Sequence, residues 1–423
     1  MPTIYVKKTG DDGNPGTDPA APKLTIKSAV ENATNLRDIV EILDQGTYVE
    51  NPEIEVKANA ITLIHTASEL GRPILNASGI GSAPIFVLSN PNSQAGTKTD
   101  FRIIGLEIQG SGDSSTMLLK IHNNNTNANG LKIDDCFIYN IPCIHDGFLQ
   151  VSAGESITIE KSSFMFNHHG TRPAIRYSSG GTTGKFLIEN CFLSRSGDNS
   201  EKPILASNNS SNPCTASFCT FVYNNVASNP AVISLWGKAI NCVVSASGPN
   251  VIGIDAADHT FNISNALGRP YGNGSGGADS AGTGDLDNSA GNFIQFVDGT
   301  STGNTLSVVQ NYALAEGSPG LDVGTSFNGV SVDILGVARP QGTGFDMGAF
   351  ERVVPYWQDA DNGETYSTKF GGSFEIHGTA NKLATRIFPR SSDNRQAPYF
   401  VTISGPPSLR GRTPNSDPYK VET

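Results

Sequence analysis

Charge is scarce in this chain of 423 residues: Lys, Arg, Asp and Glu make up 16%, against about 25% in an ordinary soluble domain. The basic side is the poorer, with 29 Lys and Arg against 40 Asp and Glu and a formal net charge of −11. That balance argues against a general nucleic-acid binder, because phosphate binding needs a concentrated positive field, and leaves room only for a local basic patch. No stretch approaches about 18 consecutive apolar residues, so no transmembrane helix or membrane insertion is expected. The opening "MPTIYVKKTG" has no apolar h-region. With Met1 as the native start, the chain is expected to be made in the cytoplasm without a signal peptide. Tryptophan is nearly missing, with only Trp236 and Trp357, which weakens the case for a long sugar-stacking groove. The six cysteines lack metal-site spacing: "CTASFC" (214–219) has no matching Cys or His pair, so buried reduced thiols are expected, with no metal and no cofactor.

What is abundant is turn chemistry. The chain has 46 Gly and 24 Pro, many in short Gly/Asn/Ser clusters, which favours many turns and few long helices. Between these turns one phrase returns about every 27 residues: "FRIIGLEI" from Phe101, "LKIDDCFI" from Leu131, "ITIEKSSF" from Ile157, "FLIENCFL" from Phe186, "CTASFCTF" from Cys214 and "GKAINCVV" from Gly237. Its third position is Ile103, Ile133, Ile159, Ile188, Ala216 and Ala239. The sixth is Leu106, Cys136, Ser162, Cys191, Cys219 and Cys242, and the eighth is Ile108, Ile138, Phe164, Leu193, Phe221 and Val244. These columns are small or apolar, while the second and fourth are mostly polar. This is the period-two alternation of strands with one buried face.

The alternation skips a residue between positions three and six. Position five is Gly105, Asp135, Lys161, Asn190, Phe218 and Asn241, rich in residues that tolerate a left-handed backbone. Each phrase is therefore predicted to be two short strands around a bend, with the sixth column packed inside. A coil of roughly 22 to 30 residues that stacks such strands is a parallel β-helix.

Both ends of the repeat carry a family resemblance. "IYVKKTGDDGNPGTDPAAPKLTIKSAV" (4–30) resembles the N-terminal segment of right-handed parallel β-helix proteins of the pectate-lyase-like class, in which a strand and a "G-x-D-x-N-P-G-T" turn precede a capping helix with a "T-I-x-x-A-V" core. Here the turn runs from Gly10 to Thr17, one residue off the usual spacing, and the cap is Leu24, Ile26, Ala29 and Val30. "DILGVARPQGTGFDMGAFE" (333–351) resembles the segment that closes many bacterial and phage members. The resemblance implies an all-β chain in three parts: an N-terminal strand and capping helix (1–35), a right-handed parallel β-helix with loop-rich late coils (36–354), and a small β-rich or extended C-terminal appendage (355–423). It does not select a function, since the class includes lyases, hydrolases, adhesins and phage tailspikes.

Three constellations could carry chemistry. Asp134, Glu160 and Glu189 fall in the outward fourth column of successive coils, about 4.8 Å apart. Such a column could bind calcium or supply paired acids for sugar cleavage; the alternative is a solvated ladder neutralised by Lys132 and Lys161. "NHHGTRPAIRYS" offers His168, His169, Arg172 and Arg176, a cation and a base of the kind a uronate lyase needs, or a polar loop over a coil. "CIHDG" offers His145 and Asp146, without a nucleophilic serine motif beside them.

Two function classes follow. One is a non-enzymatic phage virion protein, a capsid-decorating or tail spike that meets other virion subunits and host-surface polysaccharide; the resemblance implies a homotrimer. The other is a polysaccharide-degrading enzyme, a tailspike depolymerase, lyase or glycoside hydrolase. A bacterial surface adhesin fits less well, for want of an export signal. The tail from 355 onward carries eight Lys/Arg and seven Asp/Glu, a nearly neutral segment after a strongly acidic one. Arg386, Arg390, Arg395, Arg410 and Arg412 suit directed hydrogen bonds to a docking partner or a sister subunit.

Overall fold

A computed structural model of the chain describes residues 2–50, 53–58, 60–66, 71–78, 84–88, 100–110, 119–121, 130–140, 149–152, 156–167, 173–178, 185–196, 203–207, 214–224, 231–246, 251–266, 269–272, 281–287, 294–299, 305–352, 356–358, 365–367, 402–403 and 421–422. The fold is a parallel β-helix built from three ladders of parallel strands. Ladder one holds Thr3–Val6, Ile39–Ile42, Ile61–Ile64, Asp100–Ile104, Gly130–Asp134, Ile157–Glu160, Phe186–Glu189 and Cys214–Ser217. Ladder two runs from Ile54–Val56 through Phe86–Leu88, Leu119–Ile121, Leu149–Ser152, Ile175–Ser178 and Leu205–Ser207. The long strands Ala231–Ile240 and Ile252–Thr260 belong to both, each turning the corner between them, and Arg269–Gly272 ends ladder two. Ladder three runs from Thr47–Val49 to Leu286–Asp287.

The columns read from the sequence are the registers of the ladders. Ile103 pairs with Ile133, then Ile159, Ile188, Ala216 and Ala239 in successive coils. The same file extends back through Leu63 and Val40 to Ile4 and forward to His259. All of these but Ile4 and His259, each 6% exposed, are fully buried, and burying each isoleucine stabilises the stack by about 2 kcal/mol. Position five has positive φ in each of the six repeated phrases, at Gly105, Asp135, Lys161, Asn190, Phe218 and Asn241, and one coil further at Phe261. Lys161 and Phe218 each cost roughly 1–2 kcal/mol in this conformation.

The bend also explains the cysteines. In Cys136, Cys191, Cys219 and Cys242 the sulfur lies 3.1–3.5 Å from the carbonyl two residues back and 3.5–3.6 Å from a carbonyl of the preceding coil. Ser162 donates likewise to Glu160 O at 2.7 Å, and Asn262 Nδ2 to Ala239 O at 2.9 Å. The sixth column is thus small, buried and able to give a weak donor to carbonyls at the corner. These four thiols and Cys214 are free and buried; Cys143 lies outside the described residues.

The helix Ile26–Asn32 caps the first coils with Ile26, Ala29 and Val30 fully buried. Its N-cap, Thr25, accepts a bond from Ser28 N at 3.1 Å, and the buried Glu50 accepts from Ile26 N at 2.7 Å. Leu24, expected in this cap, is instead 36% exposed, because Asp12 pins the backbone of Leu24 and Thr25 ahead of the helix.

The C-terminal half of the repeat departs from expectation. The sequence predicts loop-rich late coils up to residue 354, whereas among the described residues the last strand of ladder three is Leu286–Asp287. There His259 stacks on Tyr271 (4.9 Å, 8°) and bonds Asp285 at 2.5 Å, forming a polar plug in the last layer. Residues 294–299 and 305–352 instead form a strap on the outside of ladder three. The outward residues there are apolar (Phe137, Met165, Phe192, Val222, Val243 and Ile263) and pack against Val309, Tyr312, Leu314, Ile334, Met347 and Phe350. Strands covered on both faces lose their alternation, as in "CFIYN" and "CTFVYNN"; Glu107 and Gln109, one coil before Phe137, remain polar.

Position five anchors the strap. Asn190 Nδ2 donates to Val332 O (2.8 Å) and Asn241 Nδ2 to Thr325 O (2.7 Å), while Thr325 N donates back to Asn241 Oδ1 (2.9 Å). The Arg339 guanidinium lies 4.7 Å from the centre of the Phe218 ring. The segment 333–351 therefore closes the flank of the helix, not its end. Beyond it the described residues form two short antiparallel pairs, Tyr356–Gln358 with Thr365–Ser367 and Thr402–Ile403 with Val421–Glu422.

Candidate functional site

The carboxylate file lies where the register places it, on the outer face of ladder one. Asp134 pairs with Glu160, Glu160 with Glu189, and Glu189 with Ser217. Alternation sends these side chains outward because their neighbours, Ile133, Ile159 and Ile188, fill the core.

Lysines from adjacent coils bind the first two acids. Lys132 Nζ lies 3.3 Å from Asp134 Oδ2 and 2.9 Å from Glu160 Oε2, and Lys161 Nζ lies 3.1 Å from Asp134 Oδ1. Arg72 reaches Asp135 at 2.5 Å across one more coil. Burial pulls the Lys132 ammonium down, but Glu160 and Asp134 outweigh it, and the net shift is upward. These pairs are partly exposed, so each is worth at most about 1 kcal/mol; together they cross-link successive coils.

Glu189 differs from the other two. It accepts from Ser217 Oγ at 3.0 Å. Burial pushes its carboxyl above the ordinary range and Glu160 adds repulsion, opposed by the Ser217 hydroxyl, by Asn328 of the strap and by Arg339. An acid held toward its protonated form beside a lysine-paired carboxylate is the arrangement that separates acid from base in sugar cleavage. Among the described residues no group of three or more His, Cys, Asp or Glu could hold a metal ion.

Of the other candidates, Arg176 is described and is not brought to this face. Arg176 lies on ladder two, in register with Gln150 and Ala206. His168, His169, Arg172, His145 and Asp146 lie outside the described residues, as do Arg386, Arg390, Arg395, Arg410 and Arg412. Sequence reasoning missed Asn328 and Ser217 as partners of Glu189. Ser217 could have been found by extending the fourth column one coil; Asn328 has no such signal, because it arrives from the strap.

A second buried cluster ties the strap's own closing knot. Arg339 Nη1 donates to Glu351 Oε2 (3.1 Å) and Asp346 O (2.9 Å), and Nη2 to Gly348 O (2.8 Å). Asp333 accepts from the backbone of Leu335, Val337 and Glu351 at 2.8 Å each. Burial raises Asp333 and Asp346 and pushes Glu351 up to about 7. These groups organise the knot rather than an open cleft.

No protein-family model matches the chain, and no curated protein matches it. Among solved structures, the crystal structure of pectate lyase Pel9A aligns with 83% of this chain and 96% of that chain, at 16% identity and a TM-score of 0.30.

Proposed function

We propose that the protein is a stiff, non-catalytic β-helical spike of a phage particle, assembled as a homotrimer in the host cytoplasm and docked on other virion proteins. The observation that carries the non-catalytic part is the lysine lattice: Lys132 and Lys161 neutralise Asp134 and Glu160 and tie neighbouring coils. The covered outer face of ladder three likewise serves stiffness. The phage reading is compatible with the likeness of residues 333–351 to a segment found in many bacterial and phage β-helix proteins. The arginines of 355–423 supply the docking contacts, and host-surface polysaccharide is the external ligand.

The test is compositional. Purified particles should contain this chain at a fixed copy number, and light scattering should give three times the 44.6 kDa chain mass. Loss of residues 355–423 should abolish incorporation while the β-helix circular dichroism persists. Particles that lack the chain, or that take up the truncated chain at full occupancy, would remove this reading.

Glu189 favours a second reading, an enzyme that cleaves polysaccharide with Glu189 as the acid. Release of reducing ends from a polysaccharide panel, lost in Glu189→Gln, would establish it in place of the first.

A further inference from the structure

The strap covers only part of one sheet face. On ladder three its apolar clusters reach from Ile263 to Phe137. Three rows continue the same face toward the N-terminal cap: Glu107 and Gln109, Ile74 and Asn76, then Thr47 and Val49, all in register with Phe137 and Tyr139. Alternation turns these six side chains outward, because Ile108, Leu75 and Tyr48 between them are buried. Neither strap cluster includes any of the six, and Val49 is 62% exposed.

The strap ends heading for these rows. Gly348 N donates to Asn241 O at 2.7 Å, Ala349 N donates to Thr220 Oγ1 at 2.9 Å, and the Phe350 ring lies 6.4 Å from that of Phe192. Asn241, Thr220 and Phe192 belong to consecutive coils, so the backbone climbs along the solenoid axis toward its N-terminal end. From Phe350 to Tyr356 the chain spans at most about 20 Å. That covers the three coils of about 4.8 Å each between the Phe192 row and the Glu107 row. Tyr356–Gln358 and Thr365–Ser367 then pair antiparallel, with Trp357 opposite Tyr366. Two strands alone are marginal in water and need a third strand or a surface beneath them.

We propose that the three uncovered rows of ladder three are the docking surface for the paired strands Tyr356–Gln358 and Thr365–Ser367 of the same chain, which extend the strap's interface to the N-terminal coils. The surface begins where the strap's clusters stop. The aromatic content of "YWQ" and "TYS" suits a face that carries Val49 and Ile74 among polar neighbours. A short tether from Arg352 gives these strands an effective concentration on the order of millimolar, which favours them over a second copy. The placement holds whatever the residues beyond 367 bind.

The experiment puts a photo-crosslinking amino acid at position 49 of the full chain, in a mixture of isotopically light and heavy molecules. Peptide mass spectrometry should find position 49 joined to residues 356–367 of the same molecule. In parallel, the amides of 356–358 and 365–367 should exchange at least about tenfold more slowly in the full chain than in a peptide of residues 353–370, the size expected from burying one valine side chain. Val49→Lys should return them to the peptide's rate while the coil amides of 100–104 exchange as in the parent, which shows that the solenoid is still folded. Crosslinks between light and heavy molecules would give the face to a second copy and overturn the inference. Crosslinks that miss 356–367, peptide-like exchange in the parent, or protection that survives Val49→Lys would overturn it equally.

Discussion

Phe164→Ala and Phe192→Ala remove the same side chain from neighbouring coils but from opposite faces of ladder three. Phe164 points into the solenoid; Phe192 points out, 5.2 Å from the Tyr312 ring and 6.4 Å from the Phe350 ring, and is fully buried. Burying a phenylalanine of about 200 Å² at 25 cal/mol per Å² contributes roughly 5 kcal/mol. Measured truncations of buried phenylalanine cost about 3–5 kcal/mol, so both variants should lose about 4 kcal/mol. The losses should fall in different places. Phe164→Ala breaks the stack, and every coil should unfold at lower urea. Phe192→Ala weakens only the strap, whose amides in 305–352 should exchange up to about a thousandfold faster, at about 1.4 kcal/mol per decade. Coil amides and the far-ultraviolet dichroism should stay near the parent's. Should the strap and coils of Phe192→Ala open together with one free energy, the strap is not a separate layer and the reasoning fails.

Three further outcomes follow from the same geometry. The five described thiols are buried, and burial pushes Cys136 up to about 12, so a thiol reagent should reach them only on the timescale of unfolding; labelling within seconds in native buffer would contradict the core assignment. Lys132→Met should lower the free energy of urea unfolding by about 1 kcal/mol or less and reduce its salt dependence, because the lysine links two coils through partly exposed pairs. The strap knot should be stronger in acid. Glu351 binds its proton more tightly folded than unfolded, so its contribution is complete below its ordinary value of 4.5 and is lost as pH rises through about 7. Strap stability should therefore fall by on the order of 1–2 kcal/mol between mildly acidic and mildly alkaline buffer, and Glu351→Gln, followed by strap proteolysis across pH, should flatten that slope.

The candidate carboxylates were legible because one register governs them. Once Ile133, Ile159 and Ile188 face inward, Asp134, Glu160 and Glu189 must face outward on consecutive coils. Lys132 and Lys161 were legible as neutralising partners for the same reason, being two residues or one coil away. The character of Glu189 was not, because its environment depends on Asn328, which lies 139 positions later.

What the sequence by itself determined is the coil: a repeat near 27 residues, an inward column, and a bend where Gly, Asn and Asp recur. These are short-range consequences of strand alternation and of the left-handed backbone, and each coil repeats them. The strap was decided only by the tertiary structure. Its residues have no repeat and almost no regular structure, so local propensity does not place them. Their position comes from the match between their apolar side chains and an apolar outer face, and from hydrogen bonds such as Asn190 to Val332, 142 residues apart. The asparagines at 190 and 241 form the bends that their place in the repeat predicts, but their side-chain amides bind a second segment only because the backbone already occupies the bend. That second role exists only once the coils have stacked and the strap lies across them.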